Sequence, residues 1–516
     1  MCPMSGESEQ TEKPNEGSGR QPSMMASLAV MGSMVLLIVV SVVIFGTGVA
    51  DGPLQVSMTL ATMVALAVAR LYGFRGSVIT QAVSAGVNGT IGTLFVILAI
   101  GALIGSLYLC GSVAAVVYYG VDFITVDYFY VTVFIIAVAL SLMLGSSLTT
   151  VGAVGVAFVG LASVLGVNEA IAAGAAVSGA ILGNKVAKIS DTANLTVATV
   201  GGETIADHSR SVTMTAIPTV LISAVLFLVL GLTAGGSGGT VNTDEVQDAV
   251  GQYFNVSPIA LAPIALIAVL SSRRVSAYLC LMIPAITAVV LAGFTQHDLI
   301  VSKADEGRTY LGAVLDMGID TFANGFALGS GIEEIDRVFT GGGTSAMLTT
   351  IWLVLVAASF GAIVDFTGML GRVIAPVIAS TKGPTSLIGA TMLSSIGLNA
   401  VTADPYTSIE LTGRMFRHDY ETEGYQPVVL STSIADSGTM MSHVIPWNIH
   451  GALFAGTLGI GAVEWAPYTF VAWLTPIVTF TMARVYFRRH RIPEGQDAAT
   501  VYGPPPTVGG PAPGLA

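Results

Sequence analysis

GNKVAKISDTANLTVAT, residues 183–199, is a run of charged, hydroxyl and amide side chains set between apolar stretches at about 168–183 and 212–234. A helix that crosses lipid satisfies its own backbone and excludes ionisable side chains that have no role there. Lys185, Lys188 and Asp191 in such a setting predict a membrane helix that breaks, with the break facing a site. A carboxylate, hydroxyls and freed carbonyls at the break are the oxygen ligands that a hard cation such as Na+ requires.

The rest of the chain makes lipid its solvent. Of 516 residues, 53% are hydrophobic and only 10% are charged, against roughly 25% charged in a soluble domain, which excludes a soluble globular enzyme. Apolar stretches near the length of a hydrocarbon core about 30 Å thick occur at about 27–49, 54–72, 90–110, 128–145, 150–166, 168–183, 212–234, 256–271, 276–295, 344–364, 385–400, 449–463 and 466–486. They predict an all-α polytopic membrane protein with 10–13 transmembrane segments, several of them broken or re-entrant. The 60 glycines lie mostly inside these runs, where small residues let helices approach closely.

Charge and cysteine content narrow the partners. The net charge is −12, and arginine outnumbers lysine 15 to 5. An acidic chain excludes nucleic acid as a partner, and an acidic, lysine-poor surface fits a protein facing concentrated salt. Cys2, Cys110 and Cys280 give no disulfide framework. Arg70 and Arg75 follow the second span, and Arg484, Arg488, Arg489 and Arg491 follow the last. The excess of arginine on cytoplasmic loops places both of those ends, and the N-terminal tail, in the cytoplasm of a multi-pass cell-membrane protein.

The chain divides into a disordered acidic tail (1–25), a first transmembrane repeat (26–235), a linker region with two transmembrane helices (236–343), a second repeat (344–490) and a disordered Pro/Gly tail (491–516). The repeat is weak. Residues 145–166 share the layout of 397–418, 189–202 that of 445–460, and 91–105 that of 349–364. Two such halves with interrupted helices are the pattern of a transporter whose site lies between them near the midplane.

Asp191, Asp404 and Asp436 are the candidate cation- and proton-binding groups, with Ser190, Thr192, Asn184, Ser147, Thr149 and Asn448 as neutral ligands. A carboxylate there can hold either a cation or a proton, the simplest basis for exchange. Each aspartate also has a plainer reading. Asp191 caps the helix after the break, Asp404 caps one with Pro405 in its first position, and Asp436 sits in a turn at a helix end. Lys185 and Lys188 tune a nearby carboxylate or snorkel to the surface. Asp365 and Glu410 face the cytoplasm or a neighbouring arginine, and His443 and Trp447 serve packing or the pathway. GAILGNK at 179–185 lacks the ending of a phosphate loop, Gly179 and Gly183 form a GxxxG packing pair, and no enzyme motif is present.

The stretches GALIGSLYLCGSVAAVVYYG (101–120), LGSSLTTVGAVGVAFVG (144–160), GNKVAKISDTANLTVAT (183–199), GLNAVTADPYTSIELTGRMF (397–416) and DSGTMMSHVIPWNIHGALFAGTLG (436–459) resemble the NhaC-type sodium/proton antiporters of the ion transporter superfamily. The resemblance spans roughly residues 30–490. It implies an inverted-repeat carrier of the elevator type, a homodimer in the lipid bilayer, with Na+ and H+ as transported ions and no cofactor. Some relatives instead exchange small organic acids or amino acids, such as malate for lactate. The family has Gly-Asp-Lys where this chain reads Gly183-Asn184-Lys185, and Ser-Trp-Thr where it reads Ser147-Leu148-Thr149. One carboxylate is therefore missing, and Asp191 or an aspartate of the second half must carry the exchange.

Overall fold

The computed structural model describes residues 19–123, 125–234, 243–273, 275–305, 307–381, 383–483 and 490–503. The tail before residue 19, the stretch 235–242, Arg484, Arg488, Arg489 and the chain beyond 503 lie outside the described residues.

Among the described residues, eight helices are long and apolar enough to cross a membrane, among them Met24–Ala50, Pro53–Leu71, Gly76–Leu109, Ser147–Val164, Ile205–Thr233 and Ser345–Phe366. Glu169–Val186 and Asp191–Val200, bent by 44° at the break between them, meet the same test only as a pair, the geometry of a broken span or a re-entrant loop. Large side chains on the outer helix faces, such as Leu36, Val43, Leu221, Val225, Ile286 and Val290, are exposed. In a chain with this composition, that exposure is a lipid-facing surface. The protein is thus an all-α, multi-pass membrane protein, its strands reduced to the ribbon Phe326–Ala327 against Thr340–Gly341 among the described residues.

Among the described residues the count is below the expected 10–13: several apolar stretches do not form one long helix, and the last, 466–486, runs on into residues outside those described. At 256–271 the chain starts as a 3-10 turn, Pro258–Leu261, and continues as an eleven-residue helix. The helix at 449–463 ends at Leu458 after ten residues, where Gly459 turns left-handed. Pro384–Thr402 has the length of a span, nineteen residues, but its serines, threonines and Asn399 dilute the apolar content that marks one. Ile449–Leu458 is almost wholly buried, whereas Ala262–Ser272 buries only Pro263 and Ile267.

Caps fix where the helices begin. Ser23 accepts from Ala26 N, Asn168 from the amides of Ala170 and Ile171, and Ser190 from Ala193 N. Each satisfies amides that the first turn leaves free. The tightest helix pair is Phe129–Leu144 against Glu169–Val186. A Cβ on Gly179 would meet the Phe134 carbonyl at 2.5 Å, and one on Gly183 the Val138 carbonyl at 2.5 Å. Only glycine permits this backbone contact, so the GxxxG pair is a packing seam.

Three buried clusters hold the molecule. The largest joins residues 96–117, 129–144 and 151–182; a second ties the first two spans to 353–374; a third gathers Leu387, Phe416, Tyr420, Val429 and Tyr502. The third departs from the sequence expectation for the C-terminal stretch. Residues 490–503 fold back onto the protein, ending in the helix Ala498–Tyr502 with Tyr502 buried. The aromatic ring supplies the apolar anchor that Pro/Gly composition alone did not suggest.

Candidate cation and proton site

Asp436 lies in a π-helical turn, Ala435–Thr439, that follows the helix Pro427–Ile434. Such turns widen the backbone, displace its hydrogen bonds and cluster at functional sites. The turn packs against Pro384–Thr402, Phe470–Ala483, Ile205–Ala234 and Asp191–Val200, so Asp436 is fully buried. Its carboxylate forms an ion pair with the Lys185 ammonium, from the last turn of Glu169–Val186. Thr479 donates to its other oxygen at 2.5 Å, and Lys185 also donates to Thr215 Oγ1 at 3.2 Å. Both charged side chains are within 1% of complete burial. A buried charge pair stays ionised only when each member is matched and bonded, so replacing the ammonium with another cation leaves the carboxylate satisfied.

Oxygen atoms without partners lie on the π turn and on the helix Pro384–Thr402 packed against it. Ser395 Oγ, Ser394 Oγ and Thr439 Oγ1 are buried and unbonded beside the π turn, and Asn184 Oδ1 is unbonded next to Lys185 in the chain. Asn399 donates to the Gly438 carbonyl at 2.6 Å, and Asn448 donates to Asn399 Oδ1 at 2.9 Å. Buried polar atoms are nearly always paired, and a group of orphaned oxygens beside a carboxylate has the chemistry of a hard-cation shell.

The other two aspartates meet elsewhere. Asp404 caps Pro405–Thr422, accepting from the amides of Tyr406 and Thr407 and from Thr407 Oγ1. Asp191, exposed at the start of its helix, accepts from Tyr406 OH at 2.7 Å. Tyr406 therefore joins Asp191 to Asp404 across the two halves of the chain. The three aspartates do not converge on one point: among the described residues, no three His, Cys, Asp or Glu side chains do. The cap of the helix after the break is Ser190, which also shares a hydrogen bond with Thr192 at 3.0 Å. Just before Asp404, Ala403 takes a left-handed conformation (φ 57°), alone in this among the described non-glycine residues. That costs an L-residue about 1–2 kcal/mol and holds the turn that aims the cap.

The remaining candidates separate. Ser147 and Thr149 are buried in the first turn of Ser147–Val164, which packs against Glu169–Val186 and Ile449–Leu458. Thr149 bonds Ser146 within its own cap. Lys188, Asp365 and Glu410 are exposed. Trp447 donates to the Ala400 carbonyl at 2.7 Å, a packing contact, while both ring nitrogens of the buried His443 lack partners. Thr215, Thr479 and Tyr406 were not foreseen. Thr215 had a faint signal, since it shares a helical face with His208, Ser211 and Thr219 in an otherwise apolar span.

Comparison with known proteins follows the same outline. The sequence profile of the Na+/H+ antiporter family matches residues 179–485, which include the break after Val186 and the Asp436 turn. The chain is 31% identical over 460 residues to the Na+/H+ antiporter NhaC of Alkalihalophilus pseudofirmus, covering 88% of this chain and 94% of that one. The chain belongs to the Na+/H+ antiporter family. Another relative, the Na+/H+ antiporter NhaC of Bacillus subtilis, is 29% identical over 84% of this chain and 92% of its own. The arginine/ornithine antiporter ArcD of Halobacterium salinarum is also 29% identical, over 90% of this chain and 92% of its own.

Proposed function

We propose that the protein is a secondary active transporter exchanging intracellular Na+ or Li+ for external protons, with Asp436 as the group for which cation and proton compete. The observation that carries this reading is the buried Lys185–Asp436 pair amid unbonded oxygens. When Na+ enters, it takes the place of the Lys185 ammonium as counterion to the Asp436 carboxylate. Lys185 then holds an unmatched charge in an apolar interior and releases one proton. Charge is conserved at the pair: one Na+ in, one H+ out. After the cation leaves, either another cation takes its place or a proton returns to Lys185 and restores the pair. Thr479, which bonds Asp436, and the unbonded hydroxyls of Thr439 and Ser395 are the oxygens that would complete the cation shell.

In this proposal the two related halves, each with an interrupted helix, move the site between the two faces as an elevator-type carrier, and Tyr406 couples them through Asp191 and Asp404. Both termini lie in the cytoplasm, with Arg70, Arg75 and Arg491 on that side.

The test is dissipation of a pH gradient in everted vesicles or proteoliposomes on addition of Na+, Li+, K+, then arginine, ornithine, malate and lactate. Na+ and Li+ alone are expected to collapse the gradient. The likeness to an arginine/ornithine antiporter makes exchange of an organic solute the second reading, and a signal from an organic solute alone would replace the first reading with it.

A further inference from the structure

His208, Ser211, Thr215 and Thr219 recur at spacings of three and four along Ile205–Ala234, which places them on one face of the helix. All four are at most 2% exposed. Opposite them stand Ser431, Thr432 and Asp436, each fully buried. The two rows interlock. His208 Nδ1 lies 3.0 Å from Ser431 Oγ, the hydroxyls of Ser211 and Thr432 share a hydrogen bond at 2.7 Å, and Thr215 accepts from the same Lys185 that pairs with Asp436. From His208 to Thr215 the helix rises about 10 Å. A lipid-embedded helix contact needs no polar residues, and each one lowers the ease of insertion. This seam therefore calls for a role.

Its outer end holds two groups that packing does not explain. Glu203 sits in the turn between Asp191–Val200 and Ile205–Ala234, its side chain 3% exposed, with Oε1 4.0 Å from His208 Nδ1. Neither Glu203 oxygen has a partner in hydrogen-bonding geometry, nor has His208 Nε2. Consecutive left-handed glycines, Gly201 and Gly202 (φ 74° and 72°), fold the carboxyl inward. Residues 490–503 lie over this turn: a Cβ on Gly202 would run into the Val501 carbonyl.

We propose that Glu203 and His208 form the proton port of this carrier, passing protons between the membrane face covered by residues 490–503 and the Lys185–Asp436 pair along the Thr215, Ser211, Thr432 and Ser431 hydroxyls. The proposal rests on the antiport reading above. A proton released by Lys185 travels outward along the hydroxyls, is taken up by the His208 imidazole, moves to the Glu203 carboxylate and leaves to water. The proton that reloads Lys185 enters from the opposite face once the carrier has switched sides, so one proton crosses the membrane per cation and nothing else is consumed.

The charges around the port are defined. Asp207, on the same helix as His208, accepts from Thr204 at 2.6 Å. From the facing helix Pro405–Thr422, Arg417 donates to the Val200 carbonyl and pairs with Glu421. Tyr502 covers the turn from the C-terminal segment, and Lys185 stands beyond His208. Burial pushes the Glu203 carboxyl up to about 8, Asp207 adding to the rise and the Ser431 hydroxyl opposing it. A donor in that range both gains and loses protons near neutral pH.

The experiment uses the full chain in proteoliposomes and two modes of transport: Na+-driven proton movement, and self-exchange of radiolabelled Na+ at equal pH, which requires no proton transfer. Glu203→Gln is expected to slow proton-coupled exchange by at least about tenfold and to shift its pH profile, while self-exchange stays within about twofold of wild type. Glu203→Asp retains a carboxyl and is expected to recover most of the coupled rate. His208→Asn, read in the same two modes, is expected to reproduce the selective loss and covers failure of Glu203→Gln to fold. Wild-type coupled rates in both variants overturn the port. Equal loss in both modes also overturns it, since that marks a purely structural role. A wild-type protein that self-exchanges Na+ but moves no protons overturns the antiport reading itself, whereas failure in the variants alone leaves that reading standing.

Discussion

Asp436 and Lys185 each stabilise the other's charge in a place where neither could be charged alone. Removing one member of a buried pair leaves an uncompensated ion and typically costs about 3–5 kcal/mol, whereas removing both charges is far milder. Asp436→Asn and Lys185→Gln are thus each expected to lower the melting temperature of the purified protein. The double variant should recover most of that loss without recovering exchange. Thermal melts followed by intrinsic fluorescence, beside the vesicle assay, check both parts; a double variant that still drives proton movement would remove the pair from the mechanism. Both residues stand out in the sequence as charges in apolar surroundings. Their pairing does not, because 251 positions separate them, and no local pattern encodes a contact made only when the π turn meets the broken helix. Thr479 was hidden for a related reason. Hydroxyls in membrane helices ordinarily bond the carbonyl four residues back, as Thr475 does to Val471, and only the fold shows Thr479 turned to Asp436 instead.

The break after Val186 was legible because polar residues interrupt a small-residue helix, and the non-helical stretch 187–190 with its Ser190 cap matches that reading. The assignment of the cap was off by one residue: Ser190 and Asp191 are both good cap formers, and the backbone turn selects between them. The GxxxG seam was legible as packing, though its partner helix was not. It makes a direct prediction about Phe129–Leu144 and Glu169–Val186. Gly179→Val would drive a side chain into the Phe134 carbonyl, and overpacking commonly costs about 1–3 kcal/mol, more where backbone must move. Gly32, in the helix Met24–Phe45, has open space around its Cβ position, so Gly32→Ala should be neutral or stabilising by up to about 1 kcal/mol. Melting temperatures of the two variants should diverge in opposite directions. Equal losses would mean that the helix contact is looser than described.

The C-terminal segment closes one face of the molecule over Glu203. The Arg417 guanidinium, 7% exposed, donates to the carbonyls of Val200, Tyr502 and Gly503, and Tyr502 OH donates to the Tyr425 carbonyl. Ile492 N donates to the Gly424 carbonyl, and the Gln426 amide to that of His490. This closure is what keeps the Glu203 carboxyl out of water, and it has a pH signature. The folded protein holds that proton up to about 8, against an ordinary value of 4.5. Between those limits the unfolded chain has released the proton and the folded chain has not. The unfolded state then binds fewer protons, so stability falls as pH rises through the window and levels off above it. Glu203→Gln carries no such proton. Its melting temperature relative to wild type should therefore rise from about pH 5 to 8 and stay constant beyond. Truncation after residue 489 should hydrate Glu203, lower its pKa and shrink the window, so the same comparison made in the truncated chain should be nearly flat. A flat difference in the full chain would mean that Glu203 is already ionised and solvated, and the segment would then be an anchor with no hold on the proton.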